Sequence, residues 1–375
     1  MLSRLPVSSG RSPVGHQQAI GTGRAPTGNR KLETGDLERK SVMIHRIRTI
    51  DSHAAGEPLR LIVEGLPSPE GETMLAKRAW AQKHIDHLRR SLMLEPRGHA
   101  DMYGAILTEP VTSGAHAGVL FMHNEGWSTM CGHGVIAVTT IAIERELIWP
   151  GGPNLVLDSP AGRIEASASV SESNGQRKVS SVSFRNVASY VWEAGIPVTV
   201  GGRTLLVDVA FGGAFYAIVD AESAGLAIDP SRLGELRRLG MEIKREVERL
   251  RQVSHPEDPG LQGIYGTIFT APAQHPDAHL RNVTIFADAE VDRSPCGTGT
   301  AAVMAVLSEM GVLSEDAPFV HESIVGTLFV GRIAGRRPVG EIAAIVPEIQ
   351  GSAWITGEHT FLIDGDDPLR AGFRL

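Results

Sequence analysis

Short runs of β-branched and aromatic residues dominate the hydrophobic pattern after Met43. Most runs are bounded by Gly, Pro or Asp, as is typical of strands. The predicted strands are Ile44–Ile50, Arg60–Val63, Val119–His123, Leu155–Leu157, Val179–Phe184, Thr204–Val209, Phe215–Val219, Val283–Ala287, Thr327–Ile333, Glu341–Pro347 and Thr360–Ile363. Helical apolar spacing predicts two long helices, Leu75–Leu92 and Leu233–Val253. Because strands far outnumber helices, we expect a mixed α/β fold of the α+β type and not a regular βαβ repeat.

One short motif occurs twice. Cys131–Gly134 (C-G-H-G) and Cys296–Gly299 (C-G-T-G) are each followed by a stretch of small and apolar residues. Each copy comes after a strand and a short loop, and the copies are separated by about half of the chain that follows residue 42. The repeat therefore predicts two similar halves, each with a cysteine at the start of a buried helix.

A cysteine at a helix N-terminus can act as an acid or a base. The unpaired N–H groups and the helix dipole favour thiolate over thiol, and they also bind carboxylates. If two such ends face each other, Cys131 and Cys296 stand on opposite faces of a bound α-carbon. One thiolate then removes the α-proton while the other thiol delivers a proton. The motifs therefore predict a cofactor-free amino-acid racemase or epimerase.

Composition and charge exclude several other classes. Hydrophobic residues make up 42% of the 375 residues and charged residues 21%, which is typical of globular proteins. A net charge of −7 gives no reason to expect nucleic acid or an anionic membrane as a partner. The 14 histidines and 2 cysteines lack zinc-type spacing, so no metal is expected. No lysine lies in a Gly-rich context suited to pyridoxal phosphate, so we expect no cofactor.

Two other interpretations of the same residues stay open. The segment Gly297–Ala302, with Glu315 and Asp316 beyond it, imitates a dinucleotide-binding fingerprint. However, its turn is long and no βαβ series precedes it. A binding module that holds imino acids without turnover would also carry paired motifs, and replacement of both cysteines by Ala would leave its affinity intact.

Longer stretches around the cysteines are similar to motifs of a known family. Met130–Gly134 and Asp292–Gly299 resemble the two signature motifs of the proline racemase superfamily, and segments within 50–58, 95–104 and 357–369 resemble its other blocks. The resemblance covers nearly the whole chain after residue 42. It implies two pseudo-symmetric domains, each similar to half of diaminopimelate epimerase, with strands wrapped around a central helix. The active site would lie in the cleft between them.

The expected domain boundaries follow from composition and from this resemblance. Residues 1–42 are rich in Ser, Gly, Arg and Pro without any helical or strand period, so we expect a disordered extension. Residues 43–175 together with 353–375 would form the N-terminal epimerase-like domain. Residues 176–352 would form the second.

The resemblance also implies a role for each motif residue. Cys131 and Cys296 would be the catalytic thiols, and Asp292 would pair with the charged ring nitrogen of the substrate. His133 would contact the same nitrogen. The substrate carboxylate would be held by the backbone of Gly132, His133, Gly134, Gly297 and Thr298. Ser128, His53 and His99 are polar candidates for sensing a ring hydroxyl.

The family divides by chemistry, and this chain has features of both branches. Members with two cysteines racemise proline or epimerise hydroxyproline at C2, whereas dehydratases of trans-3-hydroxy-L-proline typically have Thr in place of the second cysteine. Cys296 therefore favours a racemase or 2-epimerase. Glu95–Gly104, Phe121–Met130 and Tyr265–Ile268 resemble the dehydratase branch. Dehydration to pyrroline-2-carboxylate is thus the alternative, alone or as a second activity.

The expected partners and location follow from this chemistry. The substrate would be a small molecule, proline or a hydroxyproline, and a homodimer is common for such enzymes. No membrane partner is expected, because no apolar run is long enough for a membrane helix. Reactive thiols and the missing signal sequence favour the reducing cytoplasm.

Overall fold

The computed structural model describes residues 44–315 and 317–374; the expected extension 1–42 and Asp316 lie outside these residues. In the described part, the strands are β1 (Ile44–Ala54), β2 (Glu57–Glu64), β3 (Tyr103–Thr108), β4 (Ala117–His123), β5 (Trp127–Ser128), β6 (Asn154–Ser159), β7 (Gly162–Ser173), β8 (Gln176–Arg185), β9 (Tyr190–Val200), β10 (Arg203–Phe211), β11 (Phe215–Asp220), β12 (Gly266–Pro272), β13 (Leu280–Phe286), β14 (Glu290–Asp292), β15 (Phe319–Glu322), β16 (Leu328–Arg336), β17 (Ile345–Gly351) and β18 (Ala353–Asp364). The helices are α1 (Met74–His84), α2 (Asp86–Met93), α3 (Gly132–Glu144), α4 (Leu233–Leu250) and α5 (Gly297–Glu309). None of the helices described is long and apolar enough to cross a bilayer.

The order of strand pairing is the same in both halves of the chain. In the first half β1 is antiparallel to β2, β2 is parallel to β3, and β3 is antiparallel to β4. β4 is then parallel to β6, and β6, β7 and β8 continue as an antiparallel series. Strands β10 to β17 repeat this order step by step. The prediction of two similar halves is therefore confirmed.

The last strand of each half crosses to the other. β9 pairs with β10, and β18 returns to pair with β1. β8 also pairs with β17, which joins the two halves into one continuous sheet. Because these residues belong to one compact unit, the boundaries at 175, 176, 352 and 353 stay a prediction.

A buried helix lies at the centre of each half. Every residue of α3 from Gly132 to Ile143 is buried, and α3 packs against β1, β8 and β18. α5 is buried from Gly297 to Ala305 and packs against β9, β10 and β17. A helix that is apolar on every face is stable only when other elements surround it. The predicted class, an α+β fold with strands wrapped around a central helix in each pseudo-symmetric domain, is confirmed.

Two predicted helices differ in detail from the structure. The segment 75–92 is two helices and not one, because buried Ile85 leaves the helical conformation at φ −125° and ψ 12°. Asp86 then starts α2, where its carboxylate accepts hydrogen bonds from Arg89 and from Trp127 Nε1. Those bonds stabilise the break and the new helix start. The second helix ends at Leu250, three residues before the predicted end.

Several strands were not predicted from the sequence, namely β3, β5, β7, β9, β12, β14 and β15. β7 consists largely of Ser, Ala and Glu, which have low strand propensity, although its buried and exposed positions alternate. β5 and β14 are too short for a periodic signal. The strand predicted at 341–347 begins only at Ile345, because a turn with Gly340 at φ +56° precedes it.

Candidate active site

Each cysteine is the N-cap residue of one central helix. Cys131 Sγ accepts a hydrogen bond from Gly134 N at 3.2 Å at the start of α3. Cys296 Sγ accepts one from Gly299 N at 3.3 Å at the start of α5. Cys296 adopts φ +62°, a conformation that residues with a side chain rarely take. Such strain is typically found at functional sites.

The N-termini of α3 and α5 touch each other. A Cβ built on Gly132 would lie 2.5 Å from Gly297 Cα, and one built on Gly297 would lie 2.5 Å from Gly132 Cα. Any side chain at either position would push the helices apart, because Cβ atoms do not approach backbone that closely. The two glycines therefore allow both sets of terminal N–H groups and both thiols to meet.

Both thiols line one small cavity of about 20 Å³, which has room for about one water. Predicted site residues that line it are Cys131, Gly132, His133, Asp292, Cys296, Gly297 and Thr298. Gly134 lies just behind the wall, and its N–H is already donated to Cys131 Sγ. The remaining lining residues were not assigned a role from the sequence; they are Tyr103, Met130, Tyr216, Tyr265 and Phe286.

Asp292 places a carboxylate in the wall of this cavity at the end of β14. Its Oδ1 accepts hydrogen bonds from Ser294 N at 2.8 Å and Ser294 Oγ at 2.6 Å. Its Oδ2 lies 3.9 Å from His133 Nδ1. Burial lowers the pKa of His133, so the imidazole is neutral at pH 7. A neutral ring leaves the charge of Asp292 uncompensated at this contact, which suits pairing with a cationic ring nitrogen.

Burial controls the protonation of both thiols. It raises the pKa of Cys131, the Gly134 N–H lowers it in part, and the charge of Asp292 raises it further. Burial and then Asp292 raise the pKa of Cys296 as well. The expectation that the helix ends favour thiolate is therefore wrong for these buried thiols, where desolvation outweighs the hydrogen bond from each helix N-terminus. A cation beside Asp292 would offset the carboxylate charge and so favour the thiolate.

Tyrosine hydroxyls form the rest of the polar lining. Tyr103 OH lies 2.6 Å from Ser128 Oγ and 3.3 Å from Tyr265 OH. Tyr216 OH lies 2.6 Å from Thr298 Oγ1 and 3.8 Å from Cys296 Sγ. Three of the four tyrosines in the chain therefore surround the two thiols.

A second internal repeat was the sequence signal for two of these tyrosines. Residues 103–108 read Y-G-A-I-L-T and residues 265–270 read Y-G-T-I-F-T; Tyr103 begins β3, and Tyr265 directly precedes β12. Of the other polar candidates, Ser128 contacts Tyr103, as described above. His53 stacks on Trp354, and His99 contacts the carbonyl of Ala100, so neither reaches the cavity.

His321 is buried against the first turns of α5, and its protonation affects the stability of the fold. Its Nδ1 lies 2.9 Å from Thr300 Oγ1, and burial lowers its pKa to about 3. The unfolded chain takes up a proton below about pH 6.5, whereas the folded chain does not, so stability is lost as pH falls from about 6.5 toward 3. We expect a loss of about 1.4 kcal/mol per pH unit in the free energy of unfolding from this residue. Urea unfolding of wild type and His321→Gln across that range tests it; an equally steep loss in the variant would contradict it.

Most of the chain matches a known protein family. The sequence model described as proline racemase matches residues 49–374. The chain belongs to the proline racemase family. This confirms the resemblance seen in the two cysteine motifs and makes the protein an enzyme of that family.

Relatives in the proline racemase family carry different activity names. A trans-3-hydroxy-L-proline dehydratase from Bacillus thuringiensis subsp. konkukian is 49% identical over 329 residues, which cover 87% of this chain and 97% of the relative. A 3-hydroxyproline 2-epimerase from Burkholderia multivorans is 42% identical over 330 residues, with the same coverage of 87% and 97%. Both reactions therefore occur among similar members of the proline racemase family.

A solved structure from the same family has the same fold. It is a hydroxyproline epimerase from Agrobacterium vitis with bound trans-4-hydroxy-L-proline, and it matches with a TM-score of 0.81 and 31% identity. The match covers 88% of this chain and 95% of that one. The two-domain proline racemase architecture therefore extends over nearly all described residues.

Proposed function

We propose that this enzyme removes the α-proton of proline or a hydroxyproline and returns a proton on the opposite face, giving the 2-epimer. Cys131 and Cys296 act as the acid and base. The observation that carries the proposal is that both thiols line one cavity where two helix N-termini meet. Epimerisation needs a proton acceptor on one face and a donor on the other, and two facing thiols supply both.

Binding is assigned to the groups around the thiols. The substrate carboxylate lies against the N-termini of α3 and α5, where Gly132, His133, Gly297 and Thr298 present their backbone. The ring nitrogen lies beside Asp292, whose other oxygen is fixed by Ser294. Binding the cationic nitrogen offsets the charge that raises both thiol pKa values. Substrate binding thereby helps to generate the base.

The reaction then needs only protein groups. One thiolate takes the α-proton and becomes a thiol, and the electron pair left on the α-carbon is stabilised by the hydrogen-bonded carboxylate. The opposite thiol donates its proton to the other face and becomes the thiolate. Both thiols are buried, which limits the access of water to the carbanion-like intermediate.

Entry of the substrate requires a change in shape. A cavity of about 20 Å³ holds about one water and cannot hold a five-membered ring with a carboxylate. Tyr265 lines both this cavity and a larger one of about 230 Å³, which is also lined by Arg78 and Lys244. These two cations make that cavity a suitable approach for a carboxylate. Opening at Tyr265 is the simplest connection between the two.

Dehydration of trans-3-hydroxy-L-proline is the second candidate function. The observation that favours it is the 49% identity with a relative named for that reaction. Elimination uses the same carbanion-like state, but it needs one base and an acid for the leaving hydroxyl. The family pattern implies Cys131 as that base, because dehydratases typically lack the second cysteine.

Proton NMR in D2O tests both functions. Separate samples contain the enzyme with L-proline, trans-4-hydroxy-L-proline or trans-3-hydroxy-L-proline. We expect the α-proton signal to disappear and the 2-epimer to accumulate with at least one substrate. Pyrroline-2-carboxylate from the 3-hydroxy sample without any epimer would favour the second candidate alone. If no sample shows α-proton exchange, the proposed function is wrong.

We also propose that the enzyme is a homodimer in the cytoplasm. Two reduced thiols that must stay reactive suit a reducing compartment. Light scattering coupled to size-exclusion chromatography tests the assembly, and a monomer mass would exclude the dimer.

A further inference from the structure

Two pairs of equivalent residues meet on the pseudo-twofold axis. Gly132 and Gly297, at equivalent positions in the cysteine motifs, touch through their backbone. Tyr103 and Tyr265, at equivalent positions in the Y-G-x-I repeat, bring their hydroxyls to 3.3 Å. Residues related by a twofold contact each other only at the axis. Because all four residues line the same cavity, that cavity lies on the axis between the glycine pair and the tyrosine pair.

This placement sets the direction of a bound substrate. The proposed function puts the carboxylate at the glycine pair and the α-carbon between the thiols. The ring then extends toward the tyrosine pair and Phe286, whose ring stacks on Tyr265 with centroids 5.5 Å apart. An unsubstituted proline ring is apolar and offers these hydroxyls nothing to bind. A hydroxyl on ring carbon 3, next to the α-carbon, would face them.

We propose that Tyr103, paired with Tyr265, is the general acid that binds a 3-hydroxyl of the substrate and protonates it as it leaves. This inference rests on the proposed function and adds a catalytic residue for the elimination reaction. Tyr103 is oriented by Ser128 Oγ at 2.6 Å on one side and by Tyr265 OH on the other. A hydroxyl fixed from two sides is well placed to donate.

The stereochemistry of trans-3-hydroxy-L-proline agrees with this position. Its hydroxyl and carboxylate are on opposite faces of the ring, so the hydroxyl and the α-proton are on the same face. The base and the acid must therefore lie side by side. Cys131 and Tyr103 are such neighbours: both line the same small cavity, and the Tyr103 ring packs edge-on against His133, two residues from Cys131, with centroids 4.8 Å apart.

The elimination needs no group other than Cys131, Tyr103 and the substrate. The Cys131 thiolate takes the α-proton, the electron pair forms a double bond between ring carbons 2 and 3, and the bond from carbon 3 to oxygen breaks. Tyr103 gives its proton to that oxygen, which leaves as water. The Cys131 thiol then returns its proton to the tyrosinate. Burial raises the pKa of Tyr103 and of Tyr265, so both hydroxyls hold their protons until the leaving group needs one.

The test compares elimination and α-proton exchange in the same enzyme. Tyr103→Phe keeps the aromatic ring and removes only the hydroxyl. We expect formation of pyrroline-2-carboxylate from trans-3-hydroxy-L-proline to fall by about 10²–10⁴-fold. Exchange of the α-proton of trans-4-hydroxy-L-proline into D2O should fall far less than elimination, because that reaction has no leaving group at carbon 3.

Tyr190→Phe is the matched control. Tyr190 is a buried tyrosine in another part of the core, and its hydroxyl has no hydrogen-bond partner among the described residues. It should leave both rates unchanged. Equal losses of elimination and exchange in Tyr103→Phe would show a structural role and overturn the inference, as would full elimination activity in that variant. A wild-type enzyme that exchanges protons but never eliminates would also overturn it, whereas a wild type without any exchange would overturn the proposed function itself.

Discussion

Cys296→Thr is expected to abolish epimerisation while leaving proton removal intact. The variant keeps a residue of similar size at the start of α5 but removes the thiol from one face of the substrate. Loss of an acid or base costs about 10²–10⁴-fold in rate, so the 2-epimer should fall by that factor. The Cys131 thiolate can still remove the α-proton and return a deuteron to the same face. NMR in D2O should therefore show exchange with retention of configuration.

Cys131→Ser is the companion variant. If Cys131 is the base for L-substrates, this change should remove exchange, epimerisation and elimination together, because a serine hydroxyl is far less acidic than a thiol. Thermal unfolding of Cys131→Ser should match the wild type, since serine caps its helix with a hydroxyl. Cys296→Thr should unfold at a somewhat lower temperature, because a β-branched residue is disfavoured at the φ of +62° found at this position. Epimer formation at the wild-type rate in Cys296→Thr would exclude Cys296 as the second acid. If exchange is lost in Cys296→Thr but retained in Cys131→Ser, Cys296 is the base for L-substrates and Cys131 is the acid.

The repeated cysteine motif was enough to predict the centre of this molecule. A small-residue helix that is apolar all round must be buried, and a motif that occurs twice implies two such helices. Cys131 and Cys296 therefore pointed to a shared site before any contact was known. The sequence did not show which effect dominates the pKa values of the two thiols. Helix ends lower a thiol pKa and burial raises it, and only the folded structure shows that burial is the larger effect here.

The tyrosine pair was harder to predict for a different reason. Tyr103 and Tyr265 precede or begin strands, and a tyrosine in that position usually packs in a core. Their contact depends on the pseudo-twofold axis, which brings together residues that are far apart in the chain. The Y-G-x-I repeat carried this information, since two equivalent tyrosines beside two equivalent cysteines must lie around the same axis. The short strands β5 and β14, by contrast, follow from their neighbours in the sheet and leave no pattern of their own.

Asp292→Asn is expected to have opposite effects on catalysis and on thiol ionisation. Removal of the carboxylate charge leaves the cationic ring nitrogen of the substrate without a partner in a buried site. Truncation of one member of such a pair costs about 2–5 kcal/mol, or about 30- to 5,000-fold in kcat/KM. The same charge raises the pKa of Cys131 and Cys296 in the free enzyme. Both thiol pKa values should therefore fall in the variant, although the enzyme becomes slower.

Two measurements on one protein separate these effects. The pH dependence of alkylation by iodoacetamide, followed by mass spectrometry, should shift to lower pH in Asp292→Asn, while kcat/KM falls. Asp158→Asn is the control, because Asp158 is also buried and accepts backbone hydrogen bonds, from Val111 and Thr112, but lies outside the cavity. It should change neither value. If the thiols of Asp292→Asn are alkylated over the same pH range as those of the wild type, the charge of Asp292 does not act on the thiols. If the variant keeps full kcat/KM, the ring nitrogen has another partner, because a buried cation without a counter-charge cannot bind at no cost.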